Sequence, residues 1–220
     1  VEACLRRSRA RREIYAQIIA GYGWQPSYEQ FAVNGDTACN VMFHRPDSPP
    51  NPRFRLTCHT DYCVGDGTND NTTGMAVTAE VACLLAGTEE GRHVSIAGFD
   101  REERGLLGSR DHVKQCTERP WMRPARVVNV DAISGNDLFV TQLDGNTGVV
   151  GELISAARKS GRQLFPIDAK QIPISSDHLS FTKMGIEAAT LIGFSQEAHE
   201  VLAGQSAKEE KYRKIMDECS

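Results

Sequence analysis

Four apolar segments of the chain each end in side chains that can bind a metal ion. They are "RFRLTCHTD" with His59 and Asp61, "HVSIAGFDREERG" with Glu102 and Glu103, "ARVVNVDA" with Asp131, and "AATLIGFSQEAHE" leading to His199. Carboxylates gathered in one buried place repel each other and are costly to desolvate unless cations neutralise them. Two divalent metal ions, bound by imidazole and carboxylate groups, would neutralise such a cluster.

The loop after the first segment carries one more carboxylate. In "HTDYCVGDGTNDNTTG", residues 59–74, Asp70 stands shortly before the next predicted helix. The glycines of this loop allow the backbone to approach a bound ion closely. The doublet Glu102-Glu103 is also informative, because neighbouring side chains at a strand end point in different directions. One of them can bind a metal ion while the other acts as a general base.

Helical and extended patterns alternate along the chain, which predicts an α/β protein. The predicted helices are an N-terminal helix to about residue 22, then 73–86, 104–116, 147–160, a short one after 178, and 206–218. The predicted strands are 28–34, 38–44, 54–59, 93–99, 125–130, 138–142, 163–166 and 188–194. We expect a three-layer α/β/α sandwich whose central sheet is mixed and mostly parallel. Ligands of such sheets bind at the carboxyl ends of the strands.

The first two predicted helices each carry a further pattern. In the first helix, Leu5, Ile14, Ile18 and Ile19 are expected to form the apolar side, and "RRSRARR" at 6–12 is interpreted as a solvated basic face. A nucleic-acid or membrane patch is the alternative interpretation of this basic run. The helix at 73–86 is expected to begin with a side-chain cap from Thr72 or Thr73.

The length, net charge and cysteine count of the chain limit the class of protein. A length of 220 residues fits one domain, so residues 1–220 are predicted to form a single catalytic domain. A net charge of −4 argues against a nucleic-acid partner, and no segment has the ~20 apolar residues of a membrane span. Seven cysteines without CxxC spacing indicate mostly free thiols and favour the cytoplasm. Secretion is the alternative, because the chain starts at Val1. The sequence does not predict an oligomeric state.

Four motifs give the chain a family resemblance. "HTDYCVGDGTNDNTTGMA", "FDREERGLLGSR", "NVD" and "SSDHLSFTKMGIEAATL" resemble metallopeptidase family 28, the zinc aminopeptidases of the aminopeptidase S and aminopeptidase Y type. The motifs occur in the order and at the spacing of that family, over about residues 10–200. The resemblance implies the zinc-exopeptidase fold, also called phosphorylase/hydrolase-like, and the hydrolysis of N-terminal peptide bonds.

The resemblance also implies two zinc ions per chain. The implied ligands are His59 and Asp131 for one ion, Glu103 and His199 for the other, and Asp70 as the bridge between them. Asp61 would orient the imidazole of His59, and Glu102 would be the general base and acid.

The last metal ligand is the one that matches the family pattern least. Family members have a His-Thr stretch with a nearby Asp, whereas this chain has "AHEVLAG" around His199. His178, in "SSDHLSF", is the alternative ligand. Asp177 and His178 are otherwise expected to line the substrate site or to cap the following helix.

The expected function is a two-zinc aminopeptidase that acts on a peptide or an aminoacyl amide. A glutaminyl cyclase or another amidohydrolase of the same fold is one alternative. A binding module that has lost its metal ions is the other, although all five ligand types are present in this chain.

Overall fold

The computed structural model describes residues 2–62, 67–168 and 174–195, with side chains from Arg7 onward. Within these residues, one mixed eight-stranded sheet has the order β1-β2-β4-β3-β5-β8-β6-β7. The strands are β1 Gln25–Val33, β2 Asp36–His44, β3 Phe54–His59, β4 Val94–Phe99, β5 Arg126–Val130, β6 Asp137–Gln142, β7 Phe165–Asp168 and β8 Glu187–Phe194. The α-helices are α1 Glu2–Gly21, α2 Gly74–Leu85, α3 Leu107–Glu118, α4 Thr147–Lys159 and α5 His178–Thr182.

The centre of the sheet is parallel. β3 pairs in parallel with β4 and β5, and β5 pairs in parallel with β8. The hairpin of β1 and β2 joins one side antiparallel to β4, and β6 joins the other side antiparallel to β8. The carboxyl ends of β3, β4, β5 and β8 therefore meet at one edge, which is the edge that carries the predicted metal-binding side chains.

Helices cover both faces of the sheet, as predicted. Tyr15 and Ile19 of α1 share a core with Met75 of α2, and Val149 of α4 packs with Ala189 of β8 on the same face. The opposite face is covered by α3 and α5. Their side chains pack against alternate residues of the same strands, among them Ala97, Phe99, Val127 and Ala188. The result is the predicted three-layer α/β/α sandwich.

The predicted apolar side of α1 was wrong at two positions. Ile19 is fully buried, but Ile14 is 57% and Ile18 45% exposed. The residues that follow them face the sheet instead. Tyr15 is buried, and its hydroxyl lies 2.7 Å from the hydroxyl of Thr78 on α2.

The basic run of α1 is not only a solvated face. Arg12 donates hydrogen bonds to the carbonyl oxygen of Cys39 and to the carboxylate of Asp100, at 3.1 and 3.2 Å. The guanidinium of Arg11 lies over the ring of Tyr62, 5.1 Å from its centroid. These arginines attach α1 to the strands and to the loop that follows His59. The interpretation of residues 6–12 as a solvated basic face is therefore correct only in part.

The start of α2 also differs from the prediction. Thr73 precedes the helix but makes no side-chain cap, because its hydroxyl donates instead to the carbonyl oxygen of Asn69 at 2.7 Å. The predicted helix at 206–218 lies outside the described residues. Among the residues that the structure does describe, no helix is long and apolar enough to cross a membrane.

Candidate metal centre

His59 is the last residue of β3, and its imidazole is almost completely buried. Nδ1 lies 3.1 Å from the main-chain oxygen of Asp61 and 3.5 Å from its carboxylate oxygen Oδ1. A carbonyl oxygen only accepts hydrogen bonds, so Nδ1 carries a proton and donates it. The other ring nitrogen, Nε2, is thereby directed at the carboxylates across the site.

Two of these carboxylates face Nε2 of His59. Asp70 Oδ1 lies 2.6 Å from this nitrogen and Asp131 Oδ1 lies 3.2 Å from it. One ligand atom from each of the three residues lies within 4.8 Å of the other two. Within the described part of the chain, Asp70 Oδ1 is buried and forms no regular hydrogen bond, despite its short distance to the imidazole. An imidazole nitrogen and two carboxylate oxygens converging in this way are the donor set of a zinc site.

The turn after β4 brings two more carboxylates to the same edge. Residues Glu102–Arg104 form a short 3₁₀ turn, and Arg101 enters it in the left-handed conformation with φ 63°. The amide of Glu102 donates to Asp61 Oδ1 at 3.0 Å. Asp61 thus contacts His59 through its main-chain oxygen and holds the Glu102 turn through its carboxylate.

Burial and mutual repulsion shift the pKa values of the acidic groups at this site. Burial raises the pKa of Glu102 well above its ordinary value. Burial, followed by the negative charge of Asp70, raises the pKa of Glu103 to about 7. Burial would lower the pKa of His59, but the charge of Asp131 reverses this effect and raises the pKa well above its ordinary value. Without a cation, protons must neutralise the cluster, so the residues present fit a bound divalent metal ion.

A buried polar network binds the carboxylate oxygen of Asp131 that does not face His59. The hydroxyl of Ser176 donates to Asp131 Oδ2 at 2.5 Å and accepts from Asn129 Nδ2 at 2.7 Å. The same amide group donates to Thr190, whose hydroxyl lies 2.7 Å from Nδ1 of His178. These residues are all fully or almost fully buried. Ser176 and Asn129 are not among the predicted site residues. Asn129 is nevertheless the first residue of the "NVD" motif, and Ser176 is the second serine of "SSDH".

Asp177 and His178 lie inside the protein behind the site. Both side chains are completely buried, and among the described residues the Nε2 atom of His178 has no hydrogen-bond partner. Burial raises the pKa of Asp177 to about 7 and lowers the pKa of His178 to about 4. Asp177 takes the N-cap position of α5 without a side-chain cap. Their predicted role as substrate-lining residues stays a prediction.

The structure therefore brings together part of the predicted ligand set. His59, Asp70 and Asp131 converge, and the turn with Glu102 and Glu103 adjoins them. His199 lies outside the described residues. The peptide bond from Asp70 to Asn71 is cis.

A buried imidazole faces carboxylates at the carboxyl ends of parallel strands, an arrangement that could hold a metal ion. Comparison with known families makes the assignment specific. The model of peptidase family M28 matches residues 40–216. The chain belongs to peptidase family M28, and the family predicted from the four motifs is confirmed.

The relatives of the chain include an aminopeptidase. Aminopeptidase YwaD of Bacillus subtilis (strain 168) is 30% identical over 179 residues, which cover 77% of this chain and 39% of the relative. The leupeptin-inactivating enzyme 1 of Streptomyces exfoliatus is 28% identical over 114 residues, covering 50% of this chain and 26% of the relative. The chain thus spans about two fifths or less of the length of these relatives.

Solved structures confirm the fold. The structure of a zinc aminopeptidase from Bacillus subtilis superposes with a TM-score of 0.66 at 26% identity, covering 86% of this chain and 51% of that one. A glutaminyl cyclase from Porphyromonas gingivalis superposes with a TM-score of 0.68 at 18% identity, over 96% of this chain and 86% of that one. The second similarity shows the fold alone.

Proposed function

We propose that the protein is a two-zinc aminopeptidase that hydrolyses the N-terminal bond of a peptide or an aminoacyl amide. The observation that carries the proposal is the convergence of His59 Nε2, Asp70 Oδ1 and Asp131 Oδ1 within 4.8 Å, beside the turn with Glu102 and Glu103. The family membership and the zinc aminopeptidase relatives support it.

The number of carboxylates supports two ions rather than one. Asp70, Glu103 and Asp131 carry three negative charges when ionised, and a single divalent ion would leave one of them unpaired in a buried site. In this proposal, His59 and Asp131 would hold one zinc ion, Glu103 and His199 would hold the other, and Asp70 would be shared by both. The assignment of His199 as a zinc ligand rests on the family resemblance alone.

Bound zinc would polarise the scissile carbonyl group and lower the pKa of the attacking water. Glu102 is the proposed general base, which takes a proton from this water and returns it to the leaving amine. Burial raises the pKa of Glu102 well above its ordinary value, which suits a carboxylate that must hold a proton between the two steps. Asp61 fixes the turn through its hydrogen bond from the Glu102 amide.

The acidic surroundings favour a substrate with a free amino terminus. The carboxylates that are not proposed metal ligands, Glu102 and Asp61, would attract a substrate ammonium group, whereas an N-acetylated peptide has no such charge. The test is hydrolysis of matched peptides with free and acetylated amino termini, with zinc and after chelation. We expect release of the first residue from the free peptide only, abolished by the chelator and restored by zinc. Equal cleavage of both peptides, or cleavage in the presence of excess chelator, would contradict the proposal.

A glutaminyl-cyclase reaction is the second candidate, because a glutaminyl cyclase shares the fold. Peptides that begin with glutamine distinguish the two functions. An aminopeptidase releases free glutamine and a shortened peptide. A cyclase releases ammonia and leaves a peptide of unchanged length with a blocked amino terminus.

A further inference from the structure

Asn71 contacts the main chain on both sides of Asp131. Its Nδ2 donates to the carbonyl oxygen of Val130 at 2.8 Å, and its Oδ1 accepts from the amide of Ala132 at 3.3 Å. Val130 and Ala132 are the two neighbours of Asp131 in the chain. Asn71 is completely buried and directly follows Asp70. One side chain therefore connects the backbone of one carboxylate to the backbone of the other.

The start of α2 is built around the same side chain. Asn71 Oδ1 also accepts the amide of Gly74 at 2.9 Å. A Cβ atom at Gly74 would collide with the Asn71 side chain and with the carbonyl oxygen of Val130. Glycine at this position gives the amide group of Asn71 room to reach β5.

Two neighbouring side chains of the "NDNTT" stretch strengthen this connection. The hydroxyl of Thr73 accepts from the amide of Ile133 at 3.1 Å, and Asn69 Oδ1 accepts from the amide of Ser134 at 3.2 Å. Asn69, Asn71 and Thr73 thus all contact the segment around Asp131. Asp70, which lies between two of them, instead faces His59.

We infer that Asn71 is a positioning residue that sets the separation of the Asp70 and Asp131 carboxylates, and through it the affinity of the site for metal ions. The inference rests on the metal site of the proposed function. A side-chain amide suits this role because it donates to Val130 and accepts from Ala132 and Gly74 at once. Aspartate would lose the donor, and alanine would lose all three contacts. Outer residues that orient metal ligands change metal affinity by about 10- to 100-fold when they are replaced.

The experiment titrates Co²⁺ into the metal-free full chain, followed by visible absorption and by competition with a chelator. The variant is Asn71→Ala. The matched control is Asn146→Ala, because Asn146 is also completely buried and also bonds three main-chain groups, those of Leu143, Thr141 and Ala188. None of these groups belongs to a proposed metal ligand. Thermal unfolding of the metal-free variants measures their general loss of stability.

We expect Asn71→Ala to bind Co²⁺ at least about tenfold more weakly, with an altered absorption spectrum, while Asn146→Ala binds it like the wild type. Unchanged binding in Asn71→Ala, or an equal loss in Asn146→Ala, would overturn the inference. If the wild type binds one ion and Asn71→Ala still weakens it, the inference holds and the two-metal proposal fails. If the wild type binds no metal ion, both fail.

Asn71→Asp takes over the test if the alanine variant does not fold. It retains the two acceptor contacts and loses only the hydrogen bond to Val130. Added negative charge alone would tighten Co²⁺ binding, so weaker binding would support displaced carboxylates. Binding as tight as in the wild type, or tighter, would overturn the inference.

Discussion

The hydroxyl of Ser176 donates a 2.5 Å hydrogen bond to Oδ2 of Asp131, while the other oxygen of this carboxylate faces His59. Ser176 is itself held by Asn129, at the carboxyl half of β5. The orientation of a proposed metal ligand therefore depends on a buried hydroxyl that is not itself a proposed ligand.

Ser176→Ala is predicted to weaken zinc binding by about tenfold or more, because the Asp131 carboxylate loses the bond that fixes its rotation. Zinc affinity from chelator competition measures the effect. Ser95→Ala is a suitable control, since Ser95 is also buried but accepts a bond from Arg55 away from the site. Equal zinc affinities in Ser176→Ala and the wild type would show that the carboxylate needs no such support.

The pH dependence of the metal-free protein tests the crowding of the carboxylates. The pKa of Glu103 is raised from 4.5 to about 7 in the folded state, so the folded protein binds the proton more tightly than the unfolded chain does. The contribution of this group to stability is fully present below pH 4.5 and is lost as the pH rises through 7. The loss is at most about 3 kcal/mol and is reduced by solvent screening, because the side chain is partly exposed.

Glu103→Gln is therefore predicted to flatten this profile. With a chelator present, the unfolding temperature of the wild type should fall more between pH 5 and pH 8 than that of Glu103→Gln. Zinc at pH 8 should restore the stability of the wild type. A larger fall in Glu103→Gln than in the wild type would refute the predicted sign.

A buried ionic cluster at the opposite end of β3 is predicted to stabilise the fold without affecting the metal site. Nδ1 of His112 lies 2.8 Å from Glu29, and Arg55 contacts the other ring nitrogen. Burial lowers the pKa of His112, so the imidazole links the two charged groups, the Glu29 carboxylate and the Arg55 guanidinium. Breaking a buried charge pair typically costs about 3–5 kcal/mol. Glu29→Gln should lower the free energy of unfolding by an amount of this order and leave zinc stoichiometry unchanged.

Glu89→Gln provides the comparison for that cluster. Glu89 pairs with Arg92 at 3.0 Å, but both side chains are exposed. An exposed pair contributes about 0–1 kcal/mol. Urea unfolding of both variants measures the difference, and similar losses in the two would contradict the assigned role of burial.

The strand-end positions of the site could be predicted because parallel strands bring their carboxyl ends to one edge. That rule placed His59 and Asp131 on the same edge, and the structure joins them at 3.2 Å. The hydrogen-bond partners that hold the ligand segments together could not be predicted in the same way. The hydrogen bonds of Asn71 to Val130 and Ala132 join segments about 60 residues apart in the chain, and no local pattern indicates them.

The buried side of α1 shows a different limit. Ile14 and Ile18 are spaced by four residues, and so are Tyr15 and Ile19, so helical periodicity permits two neighbouring faces. The structure buries the second pair, with the Tyr15 hydroxyl against Thr78 of α2. Tertiary contact decides between two faces that periodicity leaves equivalent.

Glu102→Gln is the decisive variant for a metal-dependent hydrolase that uses Glu102 as its base. Zinc content and hydrolysis of aminoacyl anilides would be measured together for the wild type, for Glu102→Gln and for Glu80→Gln, a control at an exposed position of α2. We predict close to two zinc ions in all three proteins and a loss of activity of about 10²- to 10⁴-fold in Glu102→Gln alone. Full activity of Glu102→Gln, or a wild type that hydrolyses the substrate without zinc, would contradict the account.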